Sequence, residues 1–456
     1  MKKLLLGSTA LVVGGLMAAP AMAADPIKMG VGGYYTFYGA AGNIDPTYAF
    51  NGSFTSYKGF ELIQEGEIHF IGQTKLDNGT SVGLTVELEA WNPSSATANA
   101  QIDEAFLFAF GDWGRVELGS RDAATYRMYY GSPSAFIGWG AIQHNHNYSN
   151  LSVQANNKAY GRATATTNTP TWQDVNRINF FTPRFAGLQI GVGYAPKLNV
   201  TSIAGAASGP GNIAGICGYN NATNMNACPT ADYAWQDLFD VGANYLNKFG
   251  DFTVALYGAF AYASFVPGYG SVGGVFPNVA ANQITGANLT AWKQWVVGAQ
   301  FGFAGFTVGG AVGYDNNGLG SNYFTGVDND TRFYTGGIMY ETGPWQMSFL
   351  WVGAYNTNGN GSASATAIAP GTQAITLNTA SAGGVPGVNS TAFNGNPATA
   401  LAFGTETVQK FELGANYALG PGIKAVGGAM LYNVSGPTNL VSGNAWVIML
   451  GMDLRF

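Results

Sequence analysis

The sequence predicts an all-β fold, a sixteen-stranded antiparallel transmembrane β-barrel. Three observations point there: a last strand with two unlike faces, an export signal at the start, and a repeating alternation of tight turns and long loops.

The segment Asn444 to Phe456 places Trp446, Ile448, Leu450, Met452, Leu454 and Phe456 on one parity, with Val447, Met449, Gly451, Asp453 and Arg455 on the other. Period two over this length is a β-strand with one oily and one wetter face. Left as an exposed edge it would template aggregation, whereas a closed membrane barrel satisfies it with lipid outside and water inside. A terminal aromatic, Phe456, on such a strand suits capture by the barrel-assembly machinery. At the other end, Lys2 and Lys3 precede the apolar stretch Leu4 to Leu16 and the small-residue site Ala21-Met22-Ala23. That order is a secretory signal peptide over 1–23, leaving 24–456 as one barrel domain. With both lysines removed, the basic count falls from 19 to 17 against 25 acids, which excludes a nucleic-acid partner.

Only 10% of residues are charged, while glycine reaches 66. A soluble domain carries about 25% charge, and a helical membrane protein shows apolar runs of about 20 residues. The uncharged run Trp295 to Tyr314 has small-residue spacings that suit a helix pair, but its glycines and its alternation of Trp295, Val297, Ala299, Phe301 and Phe303 fit two strands joined at Ala304-Gly305.

The other connections follow the same grammar. Short turns are expected at Asp77-Asn78-Gly79, Asp112-Trp113-Gly114, Phe185-Ala186-Gly187, Phe249-Gly250-Asp251, Ala304-Gly305, Gly343-Pro344 and Gly420-Pro421-Gly422. Longer segments lie near 39–57, 92–100, 120–175, 199–236, 265–290, 317–330, 358–404 and 437–443. Seven turns and eight loops join sixteen strands, short on one side and long on the other.

Charges collect on one parity. In 57–73 the odd positions carry Glu61, Glu65, Glu67 and His69, and in 81–91 they carry Glu87 and Glu89, while Phe60, Leu62, Ile68, Phe70, Val82, Leu84, Val86 and Leu88 fill the even set. A basic charge on the lipid face costs about 2–4 kcal/mol at mid-depth, so the charged parity faces the lumen. Arg115 and Glu117, Arg177, Lys410 and Glu412, and Asp453 with Arg455 are expected inward by the same rule. Tyr35, Trp345, Tyr417 and Trp446 suit interfacial girdles.

The segment Ile102-Asp-Glu-Ala-Phe-Leu-Phe-Ala-Phe-Gly-Asp-Trp-Gly-Arg-Val-Glu-Leu-Gly-Ser-Arg-Asp122, together with the terminal Phe456, resembles the general diffusion porins of Gram-negative outer membranes, most of all those of alphaproteobacteria. The resemblance implies a homotrimer of water-filled barrels for ions and small hydrophilic solutes, with the third loop, about 120–174, folded inward as a constriction. That loop holds Arg121, Asp122, Arg127, Lys158 and Arg162, with Tyr126, Tyr129, Tyr130, Phe136 and Trp139. Family members oppose an acidic loop to a basic wall; here the wall is acidic and the loop carries more basic than acidic groups, so a field of reversed sense and weak cation preference are expected.

Pairing across Asn78 by numbers summing to about 156 sets Glu67 opposite Glu89 and His69 opposite Glu87. Facing carboxylates repel unless a basic side chain or Ca²⁺ intervenes, so an arginine of the inner loop or a structural Ca²⁺ near Glu67 and Glu89 is one expectation. Cys217 and Cys228, in one exported loop, read as a disulfide. His144-x-His146 has a metal-like spacing with no acid or cysteine nearby to complete it. No nucleophile signature is present, so an enzyme is not expected. Beside the diffusion pore, a substrate-specific channel with an aromatic track and a surface-displayed β-rich protein without a channel stay open.

Overall fold

The computed structural model describes residues 26–44, 57–90, 102–136, 175–197, 235–265, 290–316, 330–358, 365–366, 376–377, 404–435 and 443–456. Its strands are β1 (Lys28–Ile44), β2 (Tyr57–Lys75), β3 (Ser81–Glu89), β4 (Ile102–Gly111), β5 (Gly114–Arg121), β6 (Val175–Phe181), β7 (Leu188–Lys197), β8 (Trp235–Phe249), β9 (Phe252–Phe265), β10 (Trp292–Phe303), β11 (Phe306–Asp315), β12 (Thr331–Thr342), β13 (Trp345–Asn358), β14 (Gly404–Gly420), β15 (Ile423–Ser435) and β16 (Gly443–Arg455). They form one closed barrel in which each strand pairs with its neighbours in sequence and β1 pairs with β16. A separate two-residue ladder joins Ala365–Thr366 to Thr376–Leu377.

Closure removes the free edge that the last strand would otherwise present. Tyr34 stands opposite Arg455 and Ile44 opposite Ala445. The amide of Gly33 donates to the carbonyl of Phe456 at 3.0 Å, and the amide of Phe456 returns a bond to Gly33 at 3.1 Å. The terminal residue therefore completes the seam through its backbone.

All seven expected short turns join the strands where the sequence placed them. At Ala186-Gly187 (φ 45° and 92°) and Ala304-Gly305 (φ 50° and 83°) both central residues are left-handed, the geometry of a type I′ hairpin. The run 295–314 is the β10–β11 hairpin, Trp295 facing Tyr314 and Phe303 facing Phe306. Two boundaries differ from expectation. Strand β1 continues through Gly39-Ala40-Ala41-Gly42 to Ile44, because β2 and β16 pair it on both sides and supply what those small residues lack in strand propensity. Arg121 ends β5, so the inner loop starts at Asp122.

The outer face is an apolar band. On β16, Trp446, Ile448, Leu450 and Met452 are exposed while Val447, Met449 and Asp453 are buried inside. Aromatic pairs mark both rims: Trp345 with Tyr417 (4.7 Å between centroids) and Phe306 with Tyr340 (4.4 Å) near the turns, Trp295 with Tyr314 (6.4 Å) and Tyr334 with Tyr355 (5.7 Å) at the far ends. From Trp345 to Tyr355 along β13 is about 33 Å at ~3.3 Å per residue, or about 25 Å of height at a 40° tilt, which matches an outer-membrane apolar band.

Candidate functional site: the lumen and its inner loop

After β5 the chain turns into the barrel and runs along its inner wall, strand after strand. The one-turn helix α1 (Ala124–Arg127) opens this segment. Asn179 on β6 donates to the Asp122 carbonyl at 2.8 Å. The Thr125 amide donates to Asp240 on β8 at 3.1 Å, and the Tyr257 hydroxyl on β9 donates to the Thr125 carbonyl at 2.6 Å. Asn244 on β8 holds the Met128 carbonyl at 3.0 Å, and Gln300 on β10 holds that of Gly131 at 2.7 Å. On β13, Ser348 accepts from the Ala135 amide at 2.8 Å; on β14, Asn416 donates to the Ala135 carbonyl at 2.7 Å. Ser134 donates to Glu412 at 2.5 Å. A loop carries amides and carbonyls that must be satisfied once buried. Here inward-pointing wall side chains satisfy them at successive strands.

Glycines make that close approach feasible. A Cβ at Gly298 would collide with the Tyr130 carbonyl, and one at Gly337 would come within 3.1 Å of the Pro133 carbonyl. At Gly414 it would lie 2.7 Å from the Phe136 Cα, and at Gly428 2.5 Å from the Phe136 ring. Phe136 is fully buried in this seat.

The loop root is clamped by charge. Glu117, with its side chain fully buried, takes Arg115 at 2.6 Å and pairs with Arg127 of the loop. Arg121 pairs with Glu104 and reaches Glu87 at 3.3 Å, its guanidinium stacked 4.4 Å over the Phe106 ring. Arg177 and Asp240, both with fully buried side chains, pair at 3.3 Å, so one carboxylate holds both a wall arginine and the loop amide of Thr125. Asp122, off the strands at the loop root, is pushed up to about 6 by burial, which outweighs the opposing pull of Arg121, Arg177 and Arg127.

The structure thus gathers most of the expected lumenal residues. Arg115, Glu117, Arg121, Asp122, Arg127 and Arg177 form the clamp, and Lys410 pairs with Glu412 at 3.0 Å. Glu67 faces Glu89 and His69 faces Glu87 across the β2–β3 hairpin, the expected register. Two expectations change. Arg121 and Arg127 touch the carboxylates of the near wall and do not oppose them across open water, because the root of the loop lies on β3–β5. Tyr129 packs edge-on against Tyr257 at 5.4 Å and is buried, so it offers no aromatic track to a solute. Lys158, Arg162, Trp139, His144, His146, Cys217 and Cys228 lie outside the described residues, as does the side chain of Glu61.

Sequence reasoning missed Asp240, Asn244, Gln300, Ser348, Asn416 and the seating glycines. Asp240 and Asn244 share the buried parity of β8, a polar pair four residues apart that parity alone could have flagged.

A closed sixteen-stranded barrel with its third loop seated inside accords with the family model that the sequence satisfies over residues 7–437, described as Gram-negative porin. The chain belongs to the Gram-negative porin family. Porins are non-enzymatic, and the place of this one is the outer membrane. It is 23% identical over 386 residues to an uncharacterized protein of Rickettsia typhi, covering 77% of this chain and 86% of that one. An uncharacterized protein of Rickettsia conorii is 24% identical over 279 residues, 58% of this porin, which spans 59% of that relative's length. A loop-deletion mutant of the Vibrio cholerae outer-membrane protein OmpT superposes with a TM-score of 0.50 at 11% identity, covering 94% of this porin and 99% of that chain, a likeness of fold.

Proposed function

We propose that this porin is a general diffusion channel for ions and small hydrophilic solutes with a weak preference for cations. One observation carries the reading. In a ring of sixteen strands, β2 and β3 lie across from β10 and β11, where the loop is seated through Gly131. The β2–β3 side carries Glu65, Glu67, Glu87 and Glu89, while the described loop residues seated opposite, Tyr130, Gly131, Ser132 and Pro133, carry no charge. Arg121 and Arg127 are engaged by Glu87, Glu104 and Glu117. With both loop arginines held against that same wall, the field over the passage takes the sign of the acidic side, and field lines focused in a low-dielectric tube concentrate cations.

A signal peptide over 1–23, a homotrimer, a Cys217–Cys228 disulfide and recognition of Phe456 during assembly complete the proposal. Full-length mature protein in a planar bilayer should give stepwise conductance, and a KCl gradient should give a reversal potential of the cation-preferring sign. A clear anion preference would refute the selectivity, and absence of conductance steps would refute the channel.

A further inference from the structure

We propose that His69, Glu67 and Glu87 form a lumenal binding site for a first-row transition-metal dication of the Zn²⁺ class. The three side chains come from the β2–β3 hairpin, and their ligand atoms all lie within 4.8 Å of one another. The His69 Nε2 is 2.8 Å from one oxygen of Glu67 and 3.9 Å from one oxygen of Glu87. Around tetrahedral zinc, with bonds of about 2.0–2.2 Å, neighbouring ligand atoms sit about 3.3–3.5 Å apart. The two observed separations bracket that value, and the two carboxylate oxygens, within 4.8 Å of each other, would have to close by at most about 1.4 Å to admit the ion.

The two carboxylates are also held in orientation by neighbouring donors. Tyr34 donates to the other oxygen of Glu67 at 2.9 Å, and Arg121 donates to the other oxygen of Glu87 at 3.3 Å. Each carboxylate therefore spends one oxygen on a supporting partner and turns the second to His69. Tyr34 also meets the His69 ring edge-on at 6.3 Å, which restrains its rotation. Metal sites use such supporting bonds to fix their ligands. The His69 side chain is 25% exposed, so the ligand atoms are reachable from the lumen. The inference rests on the channel reading only for that aqueous access.

The donor set also selects the metal. Ca²⁺ seeks six to eight oxygens, whereas one imidazole with two carboxylates suits zinc, nickel or copper. The group nearest Glu67 is the imidazole of His69, so calcium, expected from the sequence for the Glu67–Glu89 pair, fits this corner poorly.

The test uses full-length mature protein folded in detergent and equilibrium dialysis with Zn²⁺ at pH 7.5, with Ca²⁺ and Mg²⁺ as comparisons. Saturable Zn²⁺ binding is expected, weakened more than about tenfold by His69→Gln or Glu87→Gln and about tenfold by Tyr34→Phe. His144→Gln/His146→Gln, which removes the other two histidines, should leave it intact. Binding unchanged in His69→Gln, lost in the His144/His146 variant, or equal for Ca²⁺ and Zn²⁺ would overturn the site. Conductance of the metal-free protein is measured separately, so failure of the channel and failure of the metal site read differently.

Discussion

Replacing Gly298 by alanine should force the inner loop off the barrel wall. The new Cβ would stand 3.1 Å from the carbonyl carbon of Tyr130, with the carbonyl oxygen nearer still, and 3.2 Å from the Ala311 Cβ. With a C=O bond of about 1.23 Å, restoring an ordinary contact requires the Tyr130 carbonyl to retreat by about 1 Å. The loop is tied on both sides of this point, by Asn244 to Met128 and by Gln300 to Gly131, so the retreat strains or breaks those bonds. Overpacking of this kind costs about 1–3 kcal/mol. The loop can only move toward the lumen, so single-channel conductance should fall as stability falls. Gly258→Ala is the matched control on the adjacent strand β9, because its added Cβ would meet nothing within 4 Å. Urea unfolding in detergent and bilayer recording of both variants provide the assay. Equal stability and conductance in Gly298→Ala and Gly258→Ala would refute the seating argument.

Asp240→Ala removes the buried carboxylate that holds both Arg177 and the Thr125 amide, so unfolding measurements should show a loss of about 3–5 kcal/mol, with the paired change Arg177→Met/Asp240→Leu milder. Ala304→Asn places a residue tolerant of positive φ in a type I′ turn at φ 50° and should raise stability by about 0.5–1 kcal/mol in the same assay; a loss would contradict the turn assignment. Asp122, raised to about 6 from its ordinary 3.8, binds more protons in the folded than in the unfolded chain between those values. Stability should therefore fall as pH rises through that window, and Asp122→Asn should flatten the slope in thermal unfolding at pH 5 and pH 7.

Local chemistry determined much of this protein in advance. The turns at Asn78-Gly79 and Ala304-Gly305 needed only residues suited to unusual backbone angles. The facing of Trp446, Ile448 and Leu450 outward and Asp453 inward followed from parity, since a strand presents alternate residues to opposite faces. The pairing of Glu67 with Glu89 and His69 with Glu87 followed from one tight turn, because a hairpin fixes the register of both its arms.

Only ring closure decided the rest. It brought Asp240 to Arg177 and Thr125, and Asn416 to Ala135 from 281 residues away. Glycine is too abundant here for the sequence to mark Gly298, Gly414 or Gly428 as seats, since what singles them out is the backbone of another segment lying against them. The charges of Arg121 and Arg127 were readable as residues, but whether they face a carboxylate across water or touch it depends on where the loop root lands. Strand identity is local because it depends on neighbours in the chain, whereas the shape and field of the passage depend on side chains that meet only when the barrel closes.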